Sequence, residues 1–469
     1  MLRLHDTATG AVRPFELRDP GRVSMYVCGP TVYGPPHLGH GRFTLVYDVV
    51  RRYLAFCGLD VRHVCNVTDV DDKIIERAAA EGREPEDVAA DAEVQWWAAM
   101  DALGALRPTE VPHATRYVPQ MVDLVADLVR RGAAYETGDG VYLSVEAVEG
   151  YGLLAHQPLA SLRSGARVDV DDEKRSPLDF ALWKKAKPGE PSWDSPWGPG
   201  RPGWHTECVV MSLDLLGEGF DLHGGGQDLI FPHHENERAQ AAAAGREFAR
   251  FWLHYALVVV RGGEKMSKSL RNFTTLSELV TTCDPRAYRL LVLRSHYRSP
   301  IEVTPDTIAD AEKGLDRLDG LARRLALGDP LDGAPGGVVV REQAVAAAPD
   351  GVDEDAVTRF CDRMDDDLDV PGAMAGVFDL VSRAHAAADA GAHEVAARLG
   401  RTAALLCGAL GLRLRGDAGD VDATTQRLVD ERDAARAERD FARADALRDQ
   451  LAAAGWTVED GPDGTVVRR

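Results

Sequence analysis

Two histidines three residues apart, His37 and His40, close the segment Cys28-Gly-Pro-Thr-Val-Tyr-Gly-Pro-Pro-His37-Leu-Gly39-His40. Imidazoles at the start of a helix, beside free backbone N–H groups, can meet phosphate oxygens. Gly39 between them removes a side chain, so that a nucleotide can lie against the backbone. Alone, such a pair also fits a turn with two ordinary surface histidines. A second segment, Glu264-Lys265-Met266-Ser267-Lys268-Ser269, sets two lysines among serines directly after a strand-like run. Compact point charges on a loop suit a polyphosphate, although a solvated basic loop has the same composition.

A third group has the chemistry of a metal centre. His233 and Glu237 are four apart in Phe-Pro-His-His-Glu-Asn-Glu, so they share a helix face, with Pro232 suited to the helix start. Cys208 lies upstream and Cys28 in the first loop. Two thiolates, an imidazole and a carboxylate suit tetrahedral Zn²⁺, and the sulfurs favour it over a hard cation. His234 competes as a ligand but points off the Glu237 face, and Cys208 also reads as a small buried apolar residue.

These residues need elements to hold them. Val23 to Cys28 predicts a buried strand ended by Gly29-Pro30, followed by a helix over Arg42–Phe56 and a strand over Val61–Val67. That strand–helix–strand unit predicts an α/β fold with a doubly wound parallel sheet, which binds ligands at its strand ends. Residues 73 to 160 read as mostly helical, with a turn at Gly138-Asp-Gly140 leading into a strand at Val141–Ser144. Five prolines between Lys185 and Gly203 predict an ordered loop near a site. Strand signals return at Phe220–His223 and Leu257–Val260, bracketing a Gly-rich loop and a helix. Beyond about residue 285 the chain reads as helical: Leu315, Leu318, Leu321 and Leu325 are at helical spacing, and Val352–Leu410 is alanine-rich. Gly328–Gly337 and Gly416–Gly419 read as flexible, and a last helix is expected over Thr424–Ala454. The expected segments are 1–285 with an insertion at about 73–200, then 286–330, 338–415 and 420–469.

Composition narrows the function classes. The 469 residues carry 54 basic against 75 acidic side chains, a formal charge of −21, which disfavours non-specific nucleic-acid binding but leaves room for a specific RNA partner. A hydrophobic fraction of 45% fits a globular protein. No apolar run reaches the roughly 18 residues of a membrane span, and Met1-Leu-Arg-Leu-His-Asp6 has no secretory core, so a cytoplasmic protein is expected. Seven cysteines (Cys28, Cys57, Cys65, Cys208, Cys283, Cys361, Cys407) are sparse and odd in number, which argues against a disulfide framework.

The motifs resemble a known family. His37-Leu-Gly39-His40 is similar to the HIGH signature of class I aminoacyl-tRNA synthetases, and Lys265–Ser269 is a verbatim KMSKS. Met25-Tyr-Val-Cys-Gly-Pro-Thr-Val-Tyr33, Asn66-Val-Thr-Asp-Val-Asp-Asp-Lys73, Pro202-Gly-Trp-His-Thr-Glu-Cys208 and His223-Gly-Gly-Gly-Gln-Asp-Leu-Ile-Phe-Pro-His-His-Glu-Asn-Glu237 narrow the resemblance to the cysteinyl-tRNA synthetases. It extends through Arg294–Pro300 and Asp365–Pro371 to Gly461–Thr465, over nearly the whole chain.

The resemblance implies a ligase that activates L-cysteine with ATP, releases pyrophosphate and transfers the cysteinyl group to the 3′ end of tRNA(Cys). It implies a Rossmann-like catalytic domain over 1–285, stem helices, a helical bundle and a C-terminal anticodon-binding tail. By carry-over, His37, His40, Lys265 and Lys268 are catalytic, and Gly39, Gly226 and Asp228 join His37, His40 and Lys268 around ATP, taken with Mg²⁺. Cys28, Thr31, Thr68, Trp204 and His223 would line the cysteine pocket, Trp204 being alternatively a core residue. Zn²⁺ would sit on Cys28, Cys208, His233 and Glu237 and select the thiol, and the protein is expected as a monomer. Family members usually carry His-Asn-Gly where this chain has His254-Tyr255-Ala256, a change that bears on the local backbone path. The nearest alternative is the mycothiol-pathway ligase, which transfers cysteine to the amine of a glucosaminyl-inositol. A remoter one is an inactive RNA-binding paralogue.

Overall fold

The computed structural model describes residues 2–157, 173–259, 275–347, 351–416, 423–454, 456–461 and 464–468. A short antiparallel hairpin, β1 (Arg3–Asp6) with β2 (Ala11–Pro14), precedes β3 (Arg22–Val27), the helix Leu38–Phe56 and β4 (Asp60–Cys65). Residues 73–157 are mostly helical, with a strand after the Gly138–Gly140 turn, as expected. Helices Asp72–Glu81, Pro85–Ala102 and Val118–Arg130 give way to β5 (Ala134–Glu136) and β6 (Gly140–Leu143). These pair with β7 (Phe180–Lys185) and β8 (Gly200–Pro202) in an antiparallel sheet of order β5-β6-β7-β8. The proline-rich stretch between β7 and β8 forms no helix, as expected of rings that remove N–H donors and clash with the preceding turn.

The chain then enters the helix Trp204–Leu216, β9 (Leu222–Gly226) and β10 (Phe251–Tyr255). The central sheet has order β10-β9-β3-β4 with every pair parallel, the doubly wound arrangement expected from the strand–helix–strand unit. Two local expectations are corrected here. The Gly224–Gly226 run is not a loop but the buried end of β9, pairing with both β3 and β10. A Cβ on Gly224 would lie 2.3 Å from the Tyr47 ring and one on Gly225 2.6 Å from the His234 ring, so the glycines serve close approach. The principal strand before residue 260 is the aromatic run Phe251–Tyr255, and Val258–Val259 forms only a two-residue β11 that pairs with β12 (Ile301–Glu302). Ala256 needs no glycine: it lies outside the positive-φ residues, is buried, and its N–H donates to Tyr297 O at 2.8 Å.

Helices Pro285–Leu293, Pro305–Arg324, Glu354–Asp365, Val370–Asp389 and His393–Ala409 follow. Leu315, Leu318 and Leu321 are buried, and Leu325 packs on the edge of the same cluster. The last helix expected over Thr424–Ala454 is two helices, Ala423–Ala437 and Phe441–Ala453. Arg439 at φ 59° breaks the run, and the Asp440 side chain caps the second helix by accepting from the Arg443 N–H. The β-branched runs Thr457-Val458 and Thr465-Val466-Val467 then sit in the hairpin β13 (Thr457–Gly461) with β14 (Gly464–Arg468). The flexible stretch expected at Gly416–Gly419 lies, from residue 417 onward, outside the described residues.

One apolar core runs without a break from β3 and the Leu38–Phe56 helix into the 305–409 helices, while Val429, Leu451, Trp456, Val458 and Val467 form a separate small core in the tail. The junction of sheet and helical half also holds a buried ion cluster. Asp48 accepts from Arg52 at 2.8 Å, from Arg289 at 2.6 Å and from the Leu106 N–H at 2.9 Å. Burial pushes its carboxyl up, but the two guanidiniums outweigh that and hold it below the usual carboxylate value. Arg289 also donates to Leu103 O and Leu410 O. Among the described residues no helix is long and apolar enough to cross a membrane. Replacing Asp48 by alanine leaves two buried guanidiniums without their anion, so Asp48→Ala is expected to cost about 3–5 kcal/mol of stability. A chemical-denaturation midpoint within experimental scatter of the parent would refute this role.

Candidate active site and metal centre

Parallel strands that end together place their following loops together, and three such loops build the site. Cys28 stands directly after β3, and its N–H donates to Gly224 O of β9 at 3.2 Å. Cys208 is in the Trp204–Leu216 helix; His233 lies in the turn Ile230–His234, and Glu237 in the helix Glu235–Ala243 that follows. Pro232 therefore belongs to that preceding turn rather than to the first helical position, because Phe231 (φ −138°) interrupts the helix. The i, i+4 relation survives, with His233 Nε2 2.8 Å from Glu237 Oε1.

Cys28 Sγ lies 3.4 Å from Cys208 Sγ, 3.5 Å from His233 Nε2 and 3.2 Å from Glu237 Oε1. All four residues are buried, and their donor atoms lie within 4.8 Å of one another, an arrangement compatible with a metal site. Cys28, His223, His234 and Glu237 form a second such set, which shares two members with the first. His234 directs Nδ1 to His254 Nε2 at 2.8 Å. Electrostatics within the cluster are polarised. Burial pushes the Cys28 thiol well up, and its neighbours Cys208 and Glu237 add to this. Burial also opposes ionisation of Cys208, yet the Cys28 thiol and His233 hydrogen bonds bring it down to about 6. His233 is driven up to about 10 against its burial, by the Glu237 carboxylate and Cys208. Glu237 stays well below the usual range despite burial, held by His223 and His233.

The surroundings fix these side chains. His223, wholly buried on β9, places Nε2 2.6 Å from Glu237 Oε2, beneath the carboxylate. His205 Nδ1 lies 2.9 Å from His233 Nδ1. Trp204 stacks on the His233 ring with centroids 4.0 Å apart and remains 37% exposed, so it is not a core residue. Thr31 and Thr68 are joined by a parallel bridge between the loops after β3 and β4. Thr68 Oγ1 donates to Glu207 Oε2 at 2.8 Å, and Asn66 donates to Thr68 Oγ1 at 3.2 Å. Burial, reinforced by Cys208, raises the Glu207 carboxyl well above its ordinary value.

The phosphate-type loop stands beside the cluster. Its helix begins at Leu38, four residues earlier than the sequence suggests, with His37 at the N-cap position. His37 and His40 stack with centroids 3.6 Å apart and 19° between the rings. His40 Nδ1 accepts from the His37 N–H at 3.2 Å, which leaves the His40 proton on Nε2. Desolvation lowers both imidazoles; the Asp228 carboxylate opposes this at His37, whereas His37 adds to it at His40, which falls to about 3. Both rings are therefore neutral hydrogen-bond donors near pH 7. A Cβ on Gly39 would meet the His37 ring at 3.0 Å, so the glycine makes room for the imidazole itself. Asp228 is exposed in the turn after Gly226, where a Cβ on Gly226 would displace its carboxylate. Lys265 and Lys268 lie outside the described residues.

Sequence reasoning missed Glu207, His205 and Asn66. A signal existed for Glu207: an acid beside Cys208 at the head of the apolar run Cys208-Val-Val-Met-Ser-Leu213 has to be buried with it.

Comparison with known proteins fits this geometry. Residues 14–313 match the family described as the tRNA synthetase class I (C) catalytic domain, residues 359–415 a DALR domain, and residues 418–468 a cysteinyl-tRNA ligase anticodon binding domain. The cysteine–tRNA ligase of Thioalkalivibrio sulfidiphilus is 46% identical over 483 residues, covering 100% of both chains. That of Chromobacterium violaceum is 43% identical over 476 residues, again covering 100% of both. Among solved structures, methionyl-tRNA synthetase of Mycobacterium tuberculosis, in complex with methionyl-adenylate, superposes with a TM-score of 0.59 at 17% identity, covering 90% of this chain and 96% of that one. The leucyl-tRNA synthetase of Agrobacterium radiobacter K84 gives a TM-score of 0.59 at 12% identity, covering 85% of each. The solved structures share the class I fold, and identity above 40% across entire lengths goes further: the chain belongs to the cysteine–tRNA ligase family.

Proposed function

We propose that the chain activates L-cysteine with ATP and transfers it to the 3′ end of tRNA(Cys), with Cys28, Cys208, His233 and Glu237 as the ligands of a Zn²⁺ ion that selects the amino acid. The observation that carries this reading is the convergence of a buried Cys₂HisGlu cluster and the His37–His40 loop on the end of one strand, β3. The donor set fits the metal: bonds of ~2.0–2.3 Å in a tetrahedron give edges of about 3.3–3.8 Å. The Cys28 contacts to the other three ligand atoms, 3.2–3.5 Å, lie close to that range. Zn²⁺ held by these four residues would supply a soft Lewis acid that favours a thiolate over serine's far less acidic alcohol, so one atom's difference could be read without an editing site.

The protein's own groups then position the reactants. The neutral His37 and His40 donate hydrogen bonds to phosphate oxygens, and Lys268, assisted by Lys265, neutralises charge as pyrophosphate leaves. Asp228, set beyond the β9 end, accepts from the ribose hydroxyls. ATP is taken as its Mg²⁺ complex. Thr31, Thr68 and Trp204 shape the amino-acid pocket, while His223 holds Glu237 from beneath. Little covalent work falls to side chains, because alignment of carboxylate and α-phosphate supplies most of the barrier reduction.

Residues 1–285 would carry both chemical steps, 286–330 would link them to the helices, and 338–415 with 420–469 would hold the tRNA. The anticodon-binding match over 418–468 supports a tRNA acceptor over the amine of a glucosaminyl-inositol, which would give that segment no task. Charging of unfractionated tRNA with labelled cysteine and ATP decides between them. Acid-precipitable label is expected; cysteine-driven ATP–pyrophosphate exchange without label would make the acceptor wrong.

Cys208→Ala is expected to lose bound zinc and cysteine activation together, whereas His234→Ala keeps both; metal analysis showing the reverse pattern would move the ion to the second ligand set. Lys268→Ala should slow adenylate formation about 100-fold with little change in cysteine affinity. Unchanged single-turnover activation would remove Lys268 from the phosphate site.

A further inference from the structure

Tyr255 ends β10 beside Gly226, the last residue of β9, in the stretch where this chain departs from the residues its family usually carries. It is 7% exposed, its ring packs near Phe43 and Tyr47 with centroids 6.4 and 6.2 Å apart, and the Arg42 guanidinium lies 5.9 Å from its own centroid. The other four tyrosines of this core, Tyr47, Tyr53, Tyr288 and Tyr297, each donate their hydroxyl to a backbone or carboxylate oxygen. Among the described residues the Tyr255 hydroxyl makes no hydrogen bond. A buried phenol ordinarily finds a partner, because one left unpaired has given up water for nothing. Packing thus anchors the ring of Tyr255 while its polar tip is left for a ligand.

The glycine beside it shows where that tip lies. A Cβ on Gly226 would stand 3.3 Å from the Tyr255 hydroxyl and 3.4 Å from Leu257 Cδ2, and would displace the Asp228 carboxylate. Phenol and carboxylate therefore flank one notch, which exists because Gly226 has no side chain. Burial first, and Asp228 after it, push the phenol above its ordinary value, so it keeps its proton near pH 7 and can donate. An ionised Asp228 can only accept. A donor and an acceptor side by side match two vicinal hydroxyls: one oxygen takes the phenol's hydrogen bond, and its neighbour gives its own to the carboxylate. Within ATP only the ribose 2′,3′-diol offers such a pair.

Resting on the proposed function, we propose that Tyr255 is a ribose-binding residue of this chain: its hydroxyl donates to one ribose oxygen while Asp228 accepts from the adjacent hydroxyl, so that the two read the diol of ATP over Gly226. Replacement of the usual residue by tyrosine then adds a contact to the nucleotide and leaves the cysteine pocket untouched.

The test is equilibrium binding of ATP, 2′-deoxy-ATP and 3′-deoxy-ATP, each with Mg²⁺, to the full chain by titration calorimetry. Tyr255→Phe removes the hydroxyl and keeps the ring in its packing. It is expected to weaken ATP about three- to tenfold, and to leave unchanged the Kd of the deoxy analogue that lacks the oxygen the phenol meets. Unchanged affinity for ATP overturns the inference, as does equal weakening of all three nucleotides, which would mark a packing effect. The readout needs neither cysteine nor tRNA. A chain that bound the nucleotides in the expected pattern yet gave no cysteine-dependent exchange would uphold the ribose contact and refute amino-acid activation, whereas no binding of ATP by the unaltered protein would overturn both.

Discussion

A carboxylate sealed from water is the constraint on which the site depends. Glu237 has no exposed surface, so both oxygens must be paired inside the protein; His223 and His233 do this at 2.6 and 2.8 Å from opposite sides. For both imidazoles to reach it, β9 and the helix that bears Glu237 must pack at a separation that excludes ordinary side chains. Gly225 provides that separation, since a Cβ there would enter the His234 ring, while Gly224 makes the same room on the other face for the Tyr47 ring. Tyr47 in turn donates to Gly225 O at 3.0 Å and Leu253 O at 2.7 Å, stitching the Leu38–Phe56 helix to two strands. Pairing one buried acid thus dictates the composition of a strand, and through it the place of the helix that begins at His37.

The same economy joins the sheet to the helical half. Asp48 gathers Arg52, Arg289 and the 103–106 segment, and Asp367 gathers the His5 N–H at 2.7 Å, the Tyr297 hydroxyl at 2.6 Å and Arg298. Each acid ties segments far apart in sequence, and the apolar core passes between them without interruption. The packing is accordingly continuous across residue 285. The tail differs, because Trp456 and its neighbours close a core of their own.

Period-two strands, turn residues and ligand chemistry were legible in the sequence wherever one face of an element or one loop carried them. β3, β4, the helix between them and the His233–Glu237 pair are of this kind, whereas Cys28 and Cys208 joined that pair through ligand chemistry and the family resemblance. What escaped depends on contacts between distant segments. Gly224–Gly226 looks like a loop because the rings that require its glycines lie in other elements. The tail helix looks continuous because its break, at Arg439 with a left-handed backbone, uses a residue that also forms helices well. Glu207 and His205 lie among residues already singled out, yet their partners, Thr68 and His233, come from other loops.

The neutral state of the two signature histidines has a consequence for catalysis. Imidazolium groups would bind the four negative charges of ATP strongly before any bond changes, and such uniform binding does not raise kcat. Desolvation instead keeps His37 and His40 uncharged, and the His37 N–H locks the His40 tautomer with its remaining proton on Nε2. These are oriented dipoles, whose attraction for an oxygen grows as charge accumulates on it in the transition state. In a chain with a formal charge of −21, the proposed phosphate site would then draw its full positive charge from the short Lys265–Lys268 segment and from the Mg²⁺ that accompanies ATP. Under the proposed division of labour, histidines would set geometry and lysines charge, so weakening either alone would act on the rate rather than on the amino-acid pocket.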